Sequence, residues 1–303
     1  MPELPEVETV RSDLEEEVLG DQILSSHLAR SRVFRDLDET ALQDRPLLGR
    51  YLLGIFRWGK FIFMALGPNL GILERDPHRR IFLEEGLLEE RNLSVLVLHL
   101  GMSGQILLLR EGDPVPPHSH MILGLASNLR LVYCDPRTFG RVFLASGIGT
   151  GPVRELQHLG ADPLADFSEL LFGYELMARS SAEVKAQMLD QRKVCGIGNI
   201  YADEILIRSG VHPRRRGSTL KEDEVLNLAQ TTLETLLEAV ELRGSSLKDL
   251  RYRDLFGEIG QFQNFHLAYQ KDGQACKICG CEIAKEKFQG RHSHYCPTCQ
   301  PLI

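Results

Sequence analysis

Long apolar runs are missing from this sequence of 303 residues. The longest ones, such as residues 94–100, are much shorter than the roughly 20 residues that a membrane-spanning helix needs. The first residues also contain neither the basic nor the apolar region that is typical of a secretory signal peptide. We therefore expect a protein with no membrane span and no secretion signal.

Positive charge is scarce as well, because the formal net charge is −7. Acidic residues concentrate in residues 13–17 and 84–90, whereas residues 214–216 are three arginines, and basic residues outnumber acidic ones in residues 271–303. Domains that bind nucleic acid are usually basic. The charge therefore argues neither for nor against a nucleic-acid partner.

A disulfide framework is not expected either. The chain has seven cysteines, an odd number, and four of them are spaced as Cys276-x2-Cys279-x16-Cys296-x2-Cys299. Two such CxxC pairs favour tetrahedral thiolate coordination of Zn²⁺, and reduced thiols favour a cytoplasmic location. Cys281 could compete with Cys279, but the spacing favours Cys279. Four thiolates leave no open coordination position, so we predict one structural zinc ion.

Hydrophobic periodicity divides the chain into an N-terminal helix, a β region and a helical region. Apolar residues at helical spacing predict a helix over residues 3–19. Closely spaced β-type runs then favour an antiparallel sandwich or barrel, with candidate strands at residues 61–66, 95–100, 105–109, 121–126, 129–134 and 141–145. Residues 147–152 predict a linker. Helices are predicted beyond it, at residues 168–179, 182–190, 200–209 and 222–243.

Pro2 stands directly behind the initiator methionine. A small second residue permits removal of Met1, which would leave a secondary amine at the start of the predicted helix. The positive helix end disfavours the protonated amine, whose ordinary pKa is ~8, so Pro2 could act as a nucleophile with Glu3 as acid and base. Without further motifs, an ordinary chain start remains the default explanation.

Other polar residues are ambiguous when each is taken alone. Gly196-x-Gly198 followed by Asn199 fits a phosphate-binding turn before a helix, and it fits a plain turn between helices equally well. Single histidines are more often surface or core residues than ligands or catalysts. The histidines concerned are His99, His118, His120, His292 and His294.

Six ordered motifs resemble the formamidopyrimidine-DNA glycosylase / endonuclease VIII family, and this resemblance covers nearly the whole chain. The motifs are residues 2–8, Gly59-Lys60, and residues 99–104, 135–140, 196–202 and 290–300. Residues 99–104 and 135–140 are similar to the oxidised-purine branch of the family.

The resemblance implies a two-domain α+β fold. Residues 2–148 would form an N-terminal catalytic domain, in which a helix accompanies a two-layer antiparallel β-sandwich. Residues 152–268 would form a helical domain with a helix-two-turn-helix motif, and residues 269–303 a zinc-finger β-hairpin. The implied partner is double-stranded DNA with a damaged base, bound by a monomer without any membrane partner.

The resemblance also implies a mechanism. The damaged nucleotide is flipped out of the stack, because its sugar carbon cannot be attacked inside the duplex. Pro2 then attacks C1′ and expels the base, Glu3 assists by proton transfer, and the strand is cut by β,δ-elimination through an iminium intermediate.

Further site residues are carried over from the family motifs. Lys60, Asn199 and Arg291 match positions that hold phosphates, with His99 beside them, and Lys60 and Arg291 are counted with the catalytic residues. Met102, Arg137 and Phe139 match the residues that fill the gap left by the flipped base. They would form an apolar wedge with an arginine that pairs with the orphaned base, which is the base opposite the gap. His118 and Lys248 are further expected DNA contacts, and Glu6 and Lys248 match positions near the damaged base.

Competing functions remain open at this stage. An endonuclease VIII-like enzyme for oxidised pyrimidines is the main alternative, and residues 102, 137 and 139 distinguish it. A non-catalytic binder of damaged DNA would not need Pro2, Glu3 and Lys60, and a zinc-ribbon adaptor would not need the N-terminal motif. Residues 74–92 are longer than the family's usual connection and are interpreted as a surface insertion.

Overall fold

The computed structural model describes residues 2–29, 31–34, 47–71, 93–146, 158–247 and 252–302. The chain forms two compact units. The first consists of Met1–Gln157 and Arg243–Gly260, and the second of His158–Leu242 and Gln261–Ile303. Residues 243–260, which the sequence assigns to the helical domain, therefore fold with the first unit. The predicted linker at 147–152 and the predicted insertion at 74–92 lie outside the described residues.

Helix α1 (Leu4–Val18) is the first element of the first unit. Val7, Val10 and Leu14 recur at three- and four-residue spacing and are fully buried, as expected for the inner face of an amphipathic helix. Glu3 precedes the helix in an extended conformation, and its backbone N–H donates to Glu6 Oε2 at 2.7 Å. This bond caps the N-terminus of the helix. The predicted helix is confirmed to within one residue at each end.

Within the described part of the first unit, eight strands form two antiparallel sheets of four strands each. The strand orders are β1-β6-β7-β5 and β2-β3-β4-β8. The strands are β1 (Ile23–Leu28), β2 (Tyr51–Trp58), β3 (Phe61–Gly67), β4 (Ser94–His99), β5 (Gln105–Arg110), β6 (Ser119–Leu125), β7 (Leu129–Cys134) and β8 (Arg141–Ser146). The six predicted strands are confirmed as β3 to β8, with ends that differ from the prediction by at most two residues.

One apolar core is shared by both sheets and α1, which confirms the predicted sandwich. Its members include Val7 and Val10 of α1, Ile62 and Leu98 of one sheet, and Leu123 and Tyr133 of the other. Full burial of one such side chain contributes about 1.5–3 kcal/mol. The core therefore fixes α1, and the residues at its N-terminus, against both sheets.

Residues 243–260 complete the first unit from far along the chain. Ser245 N donates to Glu6 Oε1 at 2.7 Å, and Arg243 Nη1 donates to Asp13 Oδ1 at 3.1 Å. Tyr252 and Leu255 belong to the same apolar core as α1. Two acidic residues of α1 are thus paired with a segment that follows the helical region.

The second unit contains four α-helices among its described residues, followed by a β-hairpin. The helices are α2 (Phe167–Ala178), α3 (Val184–Leu189), α4 (Asn199–Ser209) and α5 (Glu222–Glu241), and the hairpin strands are β9 (Ala284–Phe288) and β10 (Arg291–Tyr295). Asp166 caps α2 by accepting the Ser168 and Glu169 amide N–H groups, and α4 ends at Gly210, whose φ of +71° suits glycine. The four predicted helices are confirmed, although α3 is shorter than predicted.

Helix α4 also anchors the chain that leads into the hairpin. The buried Glu204 carboxylate accepts the backbone N–H groups of Leu267, Ala268 and Tyr269 at 2.8 to 3.0 Å. These donors stabilise the charged form, although burial raises the pKa of Glu204 above its ordinary value. Across the described residues, no helix combines the length and the apolar character needed to cross a membrane.

Candidate active site

Pro2 and Glu3 lie at the N-terminus of α1, and both are buried. The Glu3 amide is fixed by Glu6 Oε2, while Glu6 Oε1 accepts Ser245 N–H. The Glu6 carboxylate therefore joins the start of α1 to residues 243–260. Gly244 packs so closely on Glu6 that a Cβ there would lie 2.7 Å from Oε1. Lys248, the other residue expected near the damaged base, lies outside the described residues.

Lys60 lies in the tight turn between β2 and β3, directly after Gly59, whose φ is +57°. Arg57 positions this turn, because its Nε donates to Glu8 Oε2 at 2.5 Å and its Nη1 donates to the Gly59 carbonyl at 3.1 Å. The Arg57 side chain is fully buried. The ion pair between Arg57 and Glu8 thus joins helix α1 to the Lys60 turn.

The Arg57–Glu8 pair was not among the predicted site residues. A signal for it exists, since Arg57 is the one charged residue in the otherwise apolar or aromatic run of residues 51–58. A buried arginine is rare unless it is paired. Its partner cannot be read from the sequence, because Glu8 lies 49 residues away in a different element.

His99 ends β4 and pairs in register with Phe61, the residue that follows Lys60. Its ring centroid lies 4.6 Å from that of Phe61, and its Nδ1 accepts the Gly101 amide N–H at 3.2 Å. Burial, together with the nearby Lys60 cation, lowers the pKa of His99 to about 4. The imidazole is therefore neutral near pH 7. Because Nδ1 is an acceptor, the proton is on Nε2, which can donate to an anion.

Two loops, one after β4 and one after β7, meet backbone to backbone. Gly101 has a φ of +60°, and a Cβ there would lie 2.5–2.6 Å from backbone atoms of Phe139 and Gly140, so only glycine permits this contact. Met102 and Phe139 are 38% and 48% exposed, although both are apolar. The Arg137 guanidinium lies 4.5 Å from the centroid of the Phe139 ring. The structure thus brings the three predicted gap-filling residues onto two joined loops.

Asp135 joins these two loops by hydrogen bonds. Its fully buried carboxylate accepts Ser103 Oγ–H at 2.6 Å, Gly140 N–H at 2.8 Å and Arg137 N–H at 3.2 Å. Its own N–H donates at 3.0 Å to the carbonyl of His118, which is exposed and has a φ of +62°. Asp135 therefore links the segments that carry Met102, His118, Arg137 and Phe139, four of the residues predicted to contact DNA.

In the second unit, Asn199 begins α4 after a turn that Gln191 stabilises. Gln191 accepts the Gly196 N–H at 2.8 Å and donates to the Ile197 carbonyl at 2.9 Å. Asn199 Nδ2 donates to the His292 carbonyl at 3.1 Å. Since Arg291 directly precedes His292 in β10, this bond brings Asn199 and the exposed Arg291 onto one edge of the unit.

Four cysteines meet in the hairpin module, with their Sγ atoms all within 4.8 Å of one another. The Sγ atoms are 3.9 Å apart for Cys276 and Cys299, and 3.4 Å apart for Cys279 and Cys296. A tetrahedral zinc site with Zn–S bonds of about 2.3 Å requires S–S separations of about 3.8 Å. The cluster fits one structural zinc ion, as predicted, and the exposed Cys281 is not a member of it.

Comparisons with known proteins match the chain along its length. Residues 1–142 match the formamidopyrimidine-DNA glycosylase N-terminal domain, residues 159–250 the helix-two-turn-helix domain of the same enzymes, and residues 273–302 the zinc finger found in FPG and IleRS. The chain is 33% identical over 302 residues to formamidopyrimidine-DNA glycosylase of Pelotomaculum thermopropionicum, and 100% of both chains is covered.

Solved structures agree with this match. The MutM (FPG) protein of Thermus thermophilus is 36% identical, with a TM-score of 0.79 and 100% of both chains covered. The Lactococcus lactis Fpg in complex with DNA that contains an abasic site is 31% identical, with a TM-score of 0.80 and 99% of both chains covered.

Proposed function

Because the chain belongs to the formamidopyrimidine-DNA glycosylase family, we propose that it is a bifunctional enzyme of base excision repair. It removes oxidised purines from duplex DNA and cuts the strand at the abasic site that results. The observation that carries this proposal is the buried Pro2-Glu3 start of α1, which is joined through Glu8 and Arg57 to the turn that bears Lys60.

Pro2 is the proposed nucleophile, and its amine becomes available when Met1 is removed. The amine attacks C1′ of the flipped nucleotide, and the bond between C1′ and the base breaks, so the base leaves with that electron pair and takes up a proton. Loss of the amine proton leaves a neutral aminal at C1′, and cleavage of the C1′–O4′ bond, whose oxygen takes up a proton, converts it into an iminium ion. This ion acidifies C2′–H, whose loss expels the 3′ phosphate, and a further proton loss at C4′ expels the 5′ phosphate.

Glu3 is the proposed acid and base of this sequence. Its position next to Pro2 allows it to protonate the sugar ring oxygen as the ring opens and to receive protons afterwards. The capping of α1 by Glu6 supports this role, because it holds the Glu3 backbone in one conformation.

The phosphates next to the flipped nucleotide are proposed ligands of Lys60, Asn199 and Arg291. Lysine and arginine supply positive charge, and the first residues of α4 supply N–H donors at a positive helix end. His99 would add a neutral Nε2–H donor, as its lowered pKa requires. His118 is proposed as a further DNA contact from the loop that Asp135 holds.

Met102, Phe139 and Arg137 are proposed to fill the space that the flipped nucleotide vacates. Two exposed apolar side chains can enter the base stack, and the guanidinium can donate to O2 and N3 of an orphaned cytosine. An orphaned adenine presents an N6 donor that Arg137 cannot satisfy. We therefore expect a preference for excision opposite cytosine of ~1–3 kcal/mol, the scale of a good bidentate base contact.

Zinc would be held by the four clustered cysteines and would supply no chemistry, since four thiolates fill its coordination sphere. Its task is to hold the hairpin that presents Arg291. Reduced cysteines and a DNA substrate favour action in the cytoplasm. Relatives have been captured with formamidopyrimidine, 8-oxoguanine and abasic DNA, which supports both the substrate class and the lyase step.

An enzyme for oxidised pyrimidines is the second candidate, because the wild-type Lactococcus lactis relative was also captured with an oxidised pyrimidine in DNA. Duplexes carrying 8-oxoguanine opposite cytosine, 8-oxoguanine opposite adenine, or thymine glycol opposite adenine separate the two. We expect fastest release of 8-oxoguanine opposite cytosine, with phosphates at both ends of the gap. A clear preference for thymine glycol would favour the second candidate, and tight binding without excision would indicate a non-catalytic protein.

A matched variant tests the acid and base role. Glu3→Gln should strongly reduce base release from the 8-oxoguanine duplex. The same variant should retain strand cutting on a pre-made abasic site, where the base has already left. Loss of both activities in a folded variant would contradict the proposed division of labour between Pro2 and Glu3.

A further inference from the structure

Lys185 is a buried cation for which the proposed chemistry has no use. It lies in α3, its side chain is 0% exposed, and its Nζ donates to Asp203 Oδ1 at 2.6 Å. Asp203, in α4, is equally buried. Buried ion pairs often contribute little to stability, since well-packed apolar residues can replace them without loss. The presence of such a pair is better explained by the arrangement of the elements that it joins than by a gain in stability.

The pair fixes α4 against the hairpin strand β10. Lys185 Nζ also donates to the His292 carbonyl at 3.3 Å, the same carbonyl that accepts from Asn199 Nδ2 at 3.1 Å. Asp203 Oδ1 accepts the Ser293 hydroxyl at 3.1 Å, and Asp203 Oδ2 accepts the His294 N–H at 3.0 Å. The bonds from Asn199 and Asp203 depend on the register between α4 and β10, and Lys185 adds a bond from α3 to the same strand.

The same register sets the distance between the two proposed phosphate ligands of this unit. Asn199 and Asp203 are four residues apart in α4 and therefore lie on one face of the helix. Together they bind three consecutive residues of β10, namely His292, Ser293 and His294. Arg291 is the residue immediately before these three. A shift of β10 along α4 would break the whole set and move Arg291 away from Asn199.

Lys185 also contacts β9, the other strand of the hairpin. Lys185 Nζ lies 5.4 Å from the centroid of the Phe288 ring in β9, and Phe288 is 1% exposed. Phe288 pairs directly with Arg291 across the hairpin. Lys185 therefore contacts both strands at the end of the hairpin where Arg291 lies.

We infer that Lys185 is a positioning residue, which sets the spacing of the Asn199 amide and the Arg291 guanidinium for the phosphates without touching DNA. This inference rests on the proposed function, because it requires that Asn199 and Arg291 bind phosphate. It assigns a role in DNA recognition to a side chain that solvent does not reach.

Binding to a duplex with a tetrahydrofuran abasic analogue, which the enzyme cannot process, tests the inference over a range of salt concentrations. Lys185→Met should weaken binding by about tenfold and reduce the slope of log K against log salt by about one, as the loss of one phosphate contact would. Zinc content should be unchanged. In the background of Asn199→Ala with Arg291→Ala, Lys185→Met should have little further effect.

Arg215→Met is the matched control, since it also removes a buried cation of the second unit. Arg215 binds Glu224 and Thr219, and these residues lie in neither α4 nor β10. The control should lose stability and keep both affinity and salt slope. If Lys185→Met does not fold, Ser293→Ala removes one bond of the set without stranding a charge, and it should show a smaller loss with the same dependence on Asn199 and Arg291.

The inference is overturned if folded Lys185→Met binds as the unaltered enzyme does, or if its effect is equally large in the double-alanine background. A double-alanine variant with normal affinity would also overturn it, together with the assignment of the two phosphate ligands. Excision of 8-oxoguanine by the unaltered enzyme is measured separately, so failure of the positioning role is distinguishable from failure of the proposed function.

Discussion

At the scale of residues, buried charged side chains hold the backbone segments that carry the proposed site residues. Arg57 joins Glu8 to the turn of Lys60, and Asp135 joins the loops of Met102 and Phe139. A buried polar group that loses its partner costs about 1–3 kcal/mol, and a charged one costs more. Small changes at these positions should therefore alter recognition without any contact to DNA.

His99 should contribute to DNA binding as a neutral donor, because burial lowers its pKa to about 4. A neutral group releases no counterion, so His99→Gln should weaken binding while it keeps the slope of log K against log salt. Lys60→Gln should reduce that slope by about one. The ratio of affinities between His99→Gln and the unaltered enzyme should stay constant from pH 6 to pH 8. A ratio that changes across this range would show that His99 titrates there, contrary to its burial.

Ser103 should influence the choice of opposite base through Asp135. Ser103→Ala removes the 2.6 Å bond to Asp135, so the discrimination between cytosine and adenine should fall by about 1 kcal/mol, which is a few-fold in rate. In the Arg137→Ala background the same change should have no further effect. Ser127→Ala is the control, since that hydroxyl bonds to Asp21 at a surface turn. Unaltered discrimination in folded Ser103→Ala would contradict the role of this network.

The sequence motifs predict residues for catalysis and DNA contact, and they miss the residues that hold those side chains in place. Residues such as Met102 and Arg137 stand in recognisable local strings. Asp135 stands in such a string as well, but its bond to Ser103 spans 32 residues, and local periodicity carries no information about that pairing. Buried polar networks are consequences of the fold and become visible only with it.

At the scale of elements, the folding of the zinc hairpin depends on its metal ion. So small a module has little apolar core, and its metal supplies much of its stability. Cys296→Ser should therefore lose zinc and affinity for damaged DNA together, because Arg291 lies in the same hairpin. Zinc content by atomic absorption and affinity by fluorescence anisotropy measure both.

Cys281→Ser is the matched control for the hairpin, since Cys281 lies outside the four-cysteine cluster. It should retain zinc and full affinity. Release of the metal by this substitution would show that Cys281 is a ligand and that the assignment of the cluster is wrong.

Strand β2 shows why some elements could not be predicted from the sequence. It is buried along nearly its whole length, so it lacks the alternation of apolar and polar residues that marks a half-exposed strand. Strand β1 alternates only partly and contains a register shift near its start. Helix α5 was predictable because it buries one side, on which its apolar residues recur with helical period. In α1 most residues are buried, and the helical spacing of its apolar residues alone made it predictable.

At the scale of the whole molecule, the first unit is not continuous in sequence. Residues 243–260 supply partners for Glu6 and Asp13 of α1 and two side chains of the core. The bond between Ser245 and Glu6 spans 239 residues, so no local pattern could predict it. The predicted division by chain order therefore separates this segment from the helix that it stabilises.

A fragment of residues 1–157 should not fold on its own. It lacks Tyr252 and Leu255, whose burial in the core contributes about 1.5–3 kcal/mol each. The Glu6 and Asp13 carboxylates also lose their partners in residues 243–260. The sum is comparable with the roughly 5–15 kcal/mol that stabilises a typical domain. Circular dichroism and size exclusion should show an expanded or aggregated chain. A cooperative thermal transition near that of the full protein would contradict this expectation.

The identity of the nucleophile is the central claim, and one measurement tests it directly. The enzyme is incubated with a duplex that contains 8-oxoguanine opposite cytosine in the presence of borohydride, and the trapped protein–DNA adduct is digested and mapped by mass spectrometry. Met1 should be absent, and the DNA fragment should be attached to Pro2, because reduction of the iminium fixes the bond to its nitrogen. An adduct on Lys60, or full activity in protein that retains Met1, would contradict the claim.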